Sequence, residues 1–207
     1  MTPVAPAAQR RRFHGRIAGV GSDSGVRVVV GRWDRTPWGP FSDAMVALPS
    51  GHRLLLAPTE RVADFIASTY TFDEVRVEAF ATTGPPGAWS VRSASLDLDL
   101  AVGGRTPLGR LLALVPDAVA TAPAFCAAVD PVARVVMRGV RTRGSAGHGR
   151  REWYGATDHH AVTAMTGRLE GRDLGALADV HPAPDFGFSS TPRRASVTSV
   201  VTTVEVP

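Results

Sequence analysis

The amino-acid sequence predicts an α+β protein that is mainly β: an antiparallel β-barrel or β-cone with a few short helices closing one end. Alternation of apolar and polar residues dominates the chain, which is the pattern of strands with one buried face. About eleven such segments stand against three or four short helical ones. No linker divides the 207 residues, and the hydrophobic fraction of 44% and charged fraction of 20% are ordinary for a globular protein.

The strand pattern falls into two groups along the chain. The first group covers residues 13–20, 25–33, 42–48, 53–57, 74–80, 88–93 and 95–102. The last of these is the clearest, because Leu96 and Leu98 share one face while Asp97 and Asp99 take the other. The second group covers residues 133–141, 152–157, 159–169 and 195–206. A strand such as 195–206 at a sheet edge could pair with a second copy, so a homodimer is one expectation.

Helix signals are fewer and shorter. Thr59 is a good N-cap for a helix over residues 60–70, and Thr106 followed by Pro107 opens a helix over 108–115. Further short helices are predicted at 121–128 and 173–178. Residues 1–12 are predicted to form a disordered arm before a single domain of residues 13–207. The arm has its basic residues after the small ones and no apolar core behind them, which is not a secretory signal and predicts a cytoplasmic protein.

The composition excludes several kinds of chemistry. All 23 basic residues are arginine, so the chain has no lysine for a Schiff base, for a pyridoxal phosphate anchor or for a P-loop. The single cysteine, Cys126, cannot form an intramolecular disulfide, and no Cys/His cluster has zinc spacing. We therefore expect neither a metal nor a cofactor.

Charge and hydropathy also limit the partners. The net charge is +4, but the arginines are scattered among acids, which is typical of a solvated surface and predicts no nucleic-acid partner. The most apolar window, residues 111–129, is interrupted by Pro116, Asp117 and Pro123, so no membrane partner is expected either. A small-molecule ligand is the partner that remains.

An acid inside an apolar strand marks the first candidate site. The stretch TPWGPFSDAMV makes a turn at its prolines and then a strand that places Phe41 and Asp43 on one face. Both faces are largely apolar, so Asp43 is either buried and paired, for example with an arginine, or lines a cavity as an acid or base. Trp38 and Phe41 are candidate ligand contacts beside it.

This part of the chain resembles a known family. The run RVVVGRW, then TPWGPFSDAMV, a strand, and a helix with ERVADFIASTYTF is similar to the front part of acetoacetate decarboxylase-like proteins over about residues 26–78. The resemblance implies a cone-shaped β fold, a central cavity for a small and often acidic molecule, and a cavity-facing carboxylate at Asp43. The family's decarboxylases need an imine-forming lysine that this chain lacks, so their reaction is excluded. A lipocalin-like barrel would share much of the strand pattern.

The second candidate cluster is REWYGATDHH, which carries Glu152, Tyr154 and two adjacent histidines. On a strand, His159 and His160 point to opposite faces, so at most one of them enters a cavity and the pair does not chelate one metal. An inward histidine near Asp43 or Glu152 could form an acid/base pair, although a surface or loop histidine fits the same pattern. The basic, glycine-rich loop 141–151 before it fits an exposed hairpin tip or an anion-binding flap.

Three functions are consistent with these sequence features. The first is a small-molecule-binding barrel or cone with an apolar cavity that carries a few polar groups. The second is a cofactor-free acid/base enzyme, such as a lyase, isomerase or cyclase, that uses Asp43 with His159 or His160 and holds an anionic group with Arg76. The third is a filled barrel without a cavity. Two or more titratable groups meeting in one pocket would favour the enzyme, and a uniformly apolar pocket would favour the carrier.

Overall fold

One mixed sheet of thirteen strands dominates the computed structural model, which describes residues 9–136, 140–145, 150–187 and 189–206. The strands are β1 (Gln9–Ser22), β2 (Arg27–Arg35), β3 (Phe41–Ala47), β4 (Arg53–Ala57), β5 (Glu74–Val77), β6 (Ala81–Thr83), β7 (Ala88–Arg92), β8 (Leu96–Arg105), β9 (Arg143–Ser145), β10 (Arg151–Leu169), β11 (Arg172–Asp173), β12 (Leu177–Ala178) and β13 (Ser196–Val206). The helices are α1 (Glu60–Ala67), α2 (Pro107–Leu112), α3 (Asp117–Ala120) and α4 (Pro123–Val136). No helix in the described part of the chain has the length and hydropathy of a membrane span.

The sheet follows one long path. Its strands pair in the order β5-β4-β3-β2-β1-β13-β10-β8-β7-β6, and every pairing on this path is antiparallel except that of β4 with β5. Those two strands are parallel because the chain crosses over through α1 between them. The prediction of a mainly β fold is confirmed. The predicted closure into a barrel is not found, because β5 and β6 end the path and do not pair with each other in the described residues.

The central strands have two apolar faces, one of which packs in the main core while the other lines a cavity. On β2 and β3, Val28, Val30, Ala44 and Val46 point into the main hydrophobic core. The alternate residues of the same strands point to the opposite face, where they line a cavity. This explains why the sequence of β3 is apolar on both sides.

The two predicted helix caps are confirmed. Thr59 Oγ1 accepts a hydrogen bond from the Val62 N–H at 3.3 Å and begins α1, and Thr106 Oγ1 accepts one from the Gly109 N–H at 3.1 Å and begins α2. Each hydroxyl satisfies one of the amide groups that have no partner within the first turn of the helix.

Two predicted elements are wrong, and two others are joined in the structure. The predicted strand at 133–141 begins as helix: α4 continues to Val136 because Cys126, Asp130 and Ala133 are buried at helical spacing. The segment 173–178 is not a helix but contributes to the short strands β11 and β12. The strands predicted at 152–157 and 159–169 are one continuous strand, β10.

Two predictions about the chain ends also change. β1 begins at Gln9, four residues before the predicted start, because Arg10 and Arg12 bond to Glu205 and Thr121. Residues 1–8 of the predicted arm lie outside the described residues. β13 lies in the middle of the sheet between β1 and β10, so it is not the edge strand that was expected to pair with a second copy. A homodimer stays a prediction without that support.

Candidate functional site

A cavity of about 460 Å³ lies on the face of the central strands opposite to the main core. Its wall comes from β1, β2, β3, β10 and β13, and it is covered by side chains of α1, α2 and α4 and by Pro184, Phe186 and residues 189–192. Most of the lining side chains are apolar. The polar ones include Asp43, Glu152, Tyr70, Tyr154 and His159, which the fold brings to one cavity from distant parts of the sequence.

A tight turn sets the start of β3 and therefore the direction of Asp43. Thr36 Oγ1 donates to the Gly39 carbonyl at 2.6 Å and accepts from the Trp38 N–H at 3.0 Å. Gly39 has a φ of +84°, in the left-handed region that favours glycine. From this turn the alternation of β3 points Phe41 and Asp43 into the cavity.

Asp43 is buried, with an exposed fraction of 3%. Its Oδ1 accepts a hydrogen bond from Trp33 Nε1 at 2.8 Å, so the paired partner that the sequence left open is a tryptophan and not an arginine. Burial raises the pKa of Asp43 to about 7, and the Trp33 hydrogen bond partly opposes this. Gly31 makes room for the pair, because a Cβ there would lie 2.5 Å from both Asp43 Oδ1 and Trp33 Nε1.

A second buried carboxyl group is held by two tyrosines. Glu152 has an exposed fraction of 1%, and its Oε1 accepts a hydrogen bond from the Tyr70 hydroxyl at 2.8 Å. The Tyr70 and Tyr154 hydroxyl oxygens are 2.5 Å apart. Burial raises the pKa of Glu152 to about 7, against the opposing effects of Tyr70 and the Arg150 charge. Burial and the Glu152 charge also raise the pKa of both tyrosines well above its ordinary value, so both stay neutral donors near pH 7.

A β-bulge decides which histidine enters the cavity. Glu152, Tyr154 and Ala156 face it at the even positions of β10, and an uninterrupted strand would next bring in Asp158. The register against β13 shifts between Ala156 and Asp158, which reverses the alternation and turns His159 inward.

His159 is held by the cap of α2. Its Nδ1 lies 2.8 Å from Thr106 Oγ1, and the same hydroxyl lies 3.2 Å from the His159 carbonyl. We assign the hydroxyl proton to the carbonyl, so that Nδ1 donates and Nε2 carries the lone pair. Nε2 is buried and has no hydrogen-bond partner among the described residues. Burial, followed by the charge of His160, lowers the pKa of His159, which favours this neutral ring.

His159 does not pair with either carboxyl group as the sequence suggested. Four strand pairings place Asp43, Gly31, Ile17, Thr198 and His159 in one row across the sheet. No hydrogen bond joins His159 to Asp43, because Nδ1 contacts Thr106 Oγ1 and Nε2 has no partner among the described residues. Glu152 is three rows away from His159 on β10, or roughly 20 Å. Asp43 instead lies close enough to Tyr154 for its charge to raise the pKa of that phenol.

Several other predicted residues lie outside the cavity. His160 points to the opposite face of β10, where its ring nitrogens lie 3.1 Å from the Gly103 carbonyl and 3.2 Å from Asp158 Oδ2. Arg76 bonds to Glu74 at 2.5 Å and to Glu170 at 2.6 Å, so it does not hold a ligand in the cavity.

The two predicted aromatic contacts separate. Phe41 lines the cavity, whereas Trp38 lies behind its wall, 4.8 Å between ring centroids from Phe65. Arg11 and Arg61 cover Trp38 from outside, at 5.7 and 5.5 Å from the ring centroid.

The site also depends on residues that the sequence did not single out as candidates, among them Trp33, Tyr70, Arg141 and Thr202. Tyr70 ends the segment predicted as a helix, and Trp33 precedes the turn, so both were visible as aromatic residues but without an indicated partner. Arg141 is the arginine that lines the cavity in place of Arg76, and its buried Nε has no partner among the described residues. It begins the basic loop 141–151, of which residues 146–149 lie outside the described residues.

Comparisons with known proteins give similarity in structure only. No protein-family model and no curated protein sequence matches the chain. One solved structure of acetoacetate decarboxylase is 9% identical in sequence, with a TM-score of 0.48 over 100% of this chain and 90% of that chain. Acetoacetate decarboxylase from Legionella pneumophila subsp. pneumophila str. Philadelphia 1 is 8% identical, with a TM-score of 0.42 over 100% of this chain and 91% of that chain. This is the family that residues 26–78 resemble, but such distant similarity transfers no ligand, residue role or reaction.

The arrangement has a definite chemical capacity. Two carboxyl groups with a pKa of about 7 face one apolar space, so each can take up or release a proton near neutral pH. Within the described residues no three His, Cys, Asp or Glu side chains come together as a metal site.

Proposed function

We propose that this protein is an acid/base enzyme that binds a small organic molecule in the cavity and moves a proton on it. The observation that supports this function is that Asp43 and Glu152, two fully buried carboxyl groups, line the same mostly apolar cavity. A carrier for an apolar molecule needs neither group, and burying both is unfavourable unless they act.

The two carboxyl groups suit opposite roles. Among the described residues Trp33 is the one hydrogen-bond donor to Asp43, and we assign Asp43 as the base that removes a proton from the substrate. Glu152 belongs to the network with Tyr70 and Tyr154, which can pass a proton along short hydrogen bonds, and we assign it as the acid. His159, neutral and with Nε2 unpartnered among the described residues, is a second candidate base at the far end of the cavity.

The proposed function requires a strongly curved, cone-like sheet, because the strands that carry the two carboxyl groups must face the same cavity. β3 and β10 are separated by three strands, and the row of Asp43 meets β10 at His159, so a flat sheet would place Asp43 and Tyr154 considerably more than about 20 Å apart. The effect of the Asp43 charge on the pKa of Tyr154 supports curvature that brings the two strands across the cavity from each other.

The test is hydrogen–deuterium exchange on small molecules. The purified protein is incubated in D₂O with ketones, lactones, nitriles, nitroalkanes and alkenes that carry an acidic C–H, and deuterium uptake is followed by NMR. We expect catalysed exchange in at least one class and a loss of about a hundredfold or more with Asp43→Asn, the range for general acid–base catalysis. The matched control is Asp34→Asn, which changes an exposed carboxylate at the end of β2.

Two results would contradict this function: exchange that is as fast with Asp43→Asn as with the wild type, or no exchange in any class.

The second candidate function is a carrier, which the predominantly apolar wall favours. Leu111 and Val132 line this wall and are also 63% and 62% exposed, so they lie where a ligand would enter. Native mass spectrometry of protein from its own host would then find a bound molecule that the protein does not convert.

A further inference from the structure

We propose that Glu152 Oε2 and Thr202 Oγ1 form a subsite for a carbonyl oxygen, and that the substrate is an uncharged carbonyl compound with a C–H next to the C=O group. This proposal names the substrate class and rests on the proposed proton-transfer function. It assigns to Thr202 a role in holding the substrate.

Both oxygen atoms of the subsite are buried without a partner. Glu152 and Thr202 line the cavity and have exposed fractions of 1% and 4%. Neither Glu152 Oε2 nor Thr202 Oγ1 has a hydrogen-bond partner among the described residues. Buried polar groups in folded proteins are nearly always hydrogen-bonded, so two such atoms in one cavity indicate a ligand atom that satisfies them.

The spacing of the two residues suits one shared ligand atom. Glu152 lies opposite Val204 in the sheet and Thr202 lies opposite Tyr154, which makes Glu152 and Thr202 diagonal neighbours on β10 and β13. Side chains at diagonal positions are within reach of one another when one of them is long. One ligand oxygen can therefore contact both groups.

The hydrogen bonds available at the subsite favour an acceptor. Tyr70 donates to Glu152 Oε1 at 2.8 Å, which fixes the carboxyl group and leaves Oε2 as the atom that carries the proton. Burial raises the pKa of Glu152 to about 7, so the protonated form is present at neutral pH. A protonated carboxyl group and a hydroxyl both donate, and a carbonyl oxygen accepts. The apolar wall favours an uncharged ligand over an ion.

These groups support one balanced step. The Asp43 carboxylate takes a proton from the carbon next to the carbonyl, and the C–H electron pair forms a C=C bond. The carbonyl π pair moves onto oxygen, and the proton of Glu152 Oε2 moves to that oxygen to give an enol. Asp43 ends protonated and Glu152 ionised, and the reverse transfer, from Asp43 to the same carbon and from the enol oxygen to Glu152, returns both groups to their starting forms.

The experiment measures binding of 2-naphthol, whose hydroxyl stands in for the enol, against naphthalene, which has the same rings without the oxygen. Isothermal titration compares the wild type with Thr202→Val. The control is Thr203→Val, which removes the hydroxyl of the next residue on β13; Thr203 is equally buried but is not part of the cavity wall. A third variant, Glu152→Gln, keeps a donor but cannot transfer a proton.

We expect 2-naphthol to bind the wild type more tightly than naphthalene does. Thr202→Val should weaken 2-naphthol binding by roughly tenfold, which is the effect of one lost hydrogen bond. It should leave the binding of naphthalene unchanged. The control Thr203→Val should leave the binding of both compounds unchanged. Glu152→Gln should keep most of the 2-naphthol binding and lose deuterium exchange.

The subsite is overturned if Thr202→Val and Thr203→Val behave alike, if naphthalene binds as well as 2-naphthol, or if neither binds. Tighter binding of 1-naphthoate, which is an anion at neutral pH, than of 2-naphthol would overturn the uncharged class. Deuterium exchange that survives these results would leave the proposed function standing without the subsite. Binding as expected, without exchange in any compound class, would leave the subsite and remove the enzyme.

Discussion

At the scale of single residues, the site is defined by groups whose burial changes their protonation. Asp43 and Glu152 accept hydrogen bonds from the neutral side chains of Trp33 and Tyr70, in place of a directly bonded arginine. A buried carboxyl group without a cation at hydrogen-bond distance is more easily protonated than one in water. The burial that allows these groups to exchange protons near neutral pH therefore also lowers the free energy of unfolding at any pH at which they are ionised.

A stability measurement tests this at Asp43. Its pKa is raised on folding from 3.8 to about 7, so the folded state holds a proton that the unfolded state has lost. The contribution of Asp43 to the free energy of unfolding should therefore be largest below pH 4, should fall as the pH rises to about 7 and should stay lower above it. Asp43→Asn should remove the Asp43 part of this fall, which is at most on the order of 4 kcal/mol.

Urea denaturation at pH 4 and pH 8 measures the effect. The variant should gain stability relative to the wild type at pH 8 and lose exchange activity at the same time. Asp34→Asn, at an exposed position, should follow the wild type at both pH values. If Asp43→Asn keeps the full pH dependence, the Asp43 carboxyl group is not buried in the folded protein.

At the scale of secondary-structure elements, α2 and β10 share one hydroxyl group. Thr106 Oγ1 accepts from the Gly109 N–H and also contacts the ring of His159, so the start of the helix and the direction of the histidine depend on the same atom. Gly109 permits this close approach, because a Cβ there would lie 2.2 Å from the His159 carbonyl oxygen.

Replacing Thr106 should therefore have two effects. Thr106→Val removes the cap and should lower the free energy of unfolding by about 1 kcal/mol. It should also release the His159 ring, which is observed as a change in the His159 resonances by NMR. The control is Thr59→Val at the cap of α1, which should cost similar stability and leave those resonances unchanged. Unchanged His159 resonances in Thr106→Val would contradict the shared contact.

At the scale of the whole molecule, contacts between distant segments assemble the site. Arg150, two residues before Glu152, donates from Nη1 to the Phe65 carbonyl at 3.2 Å, to Ser68 Oγ at 2.5 Å and to Thr69 Oγ1 at 2.7 Å. These bonds attach the end of α1, from which Tyr70 follows, to the start of β10. The helix itself has no basic residue in its last turn, so Arg150 supplies the positive charge that helix ends favour.

We expect Arg150→Met to show the contributions of the hydrogen bonds and of the positive charge in two different measurements. Loss of the hydrogen bonds should lower the free energy of unfolding by about 1–3 kcal/mol. Loss of the charge should raise the pKa of Glu152 further, because Arg150 lowers it in the wild type. The alkaline limb of the pH profile for deuterium exchange should then move to higher pH. Arg61→Met, which removes a cation over Trp38 outside the cavity, should leave the profile in place; a shift in both variants would contradict the role of Arg150.

Much of the fold could be predicted from local patterns. The strand at 53–57, both helix caps and the shared face of Phe41 and Asp43 depend on residues a few positions apart, and these agree with the structure. Errors arose where a short apolar run fits both helix and strand, as at 133–136, since periodicity alone does not separate them. The open ends of the sheet also have no local signal.

The sequence by itself determined that no lysine chemistry takes place here, that the chain is mainly β and that Asp43 stands in an apolar strand. Only the tertiary structure decided which groups meet. The bulge before Asp158 turns His159, and not His160, into the cavity, and the pairing of β10 with β13 places Thr202 beside Glu152. Tyr70 reaches Glu152 across 82 positions of the sequence. Alternation along one strand is a local property, whereas register and curvature are set by contacts across the whole sheet.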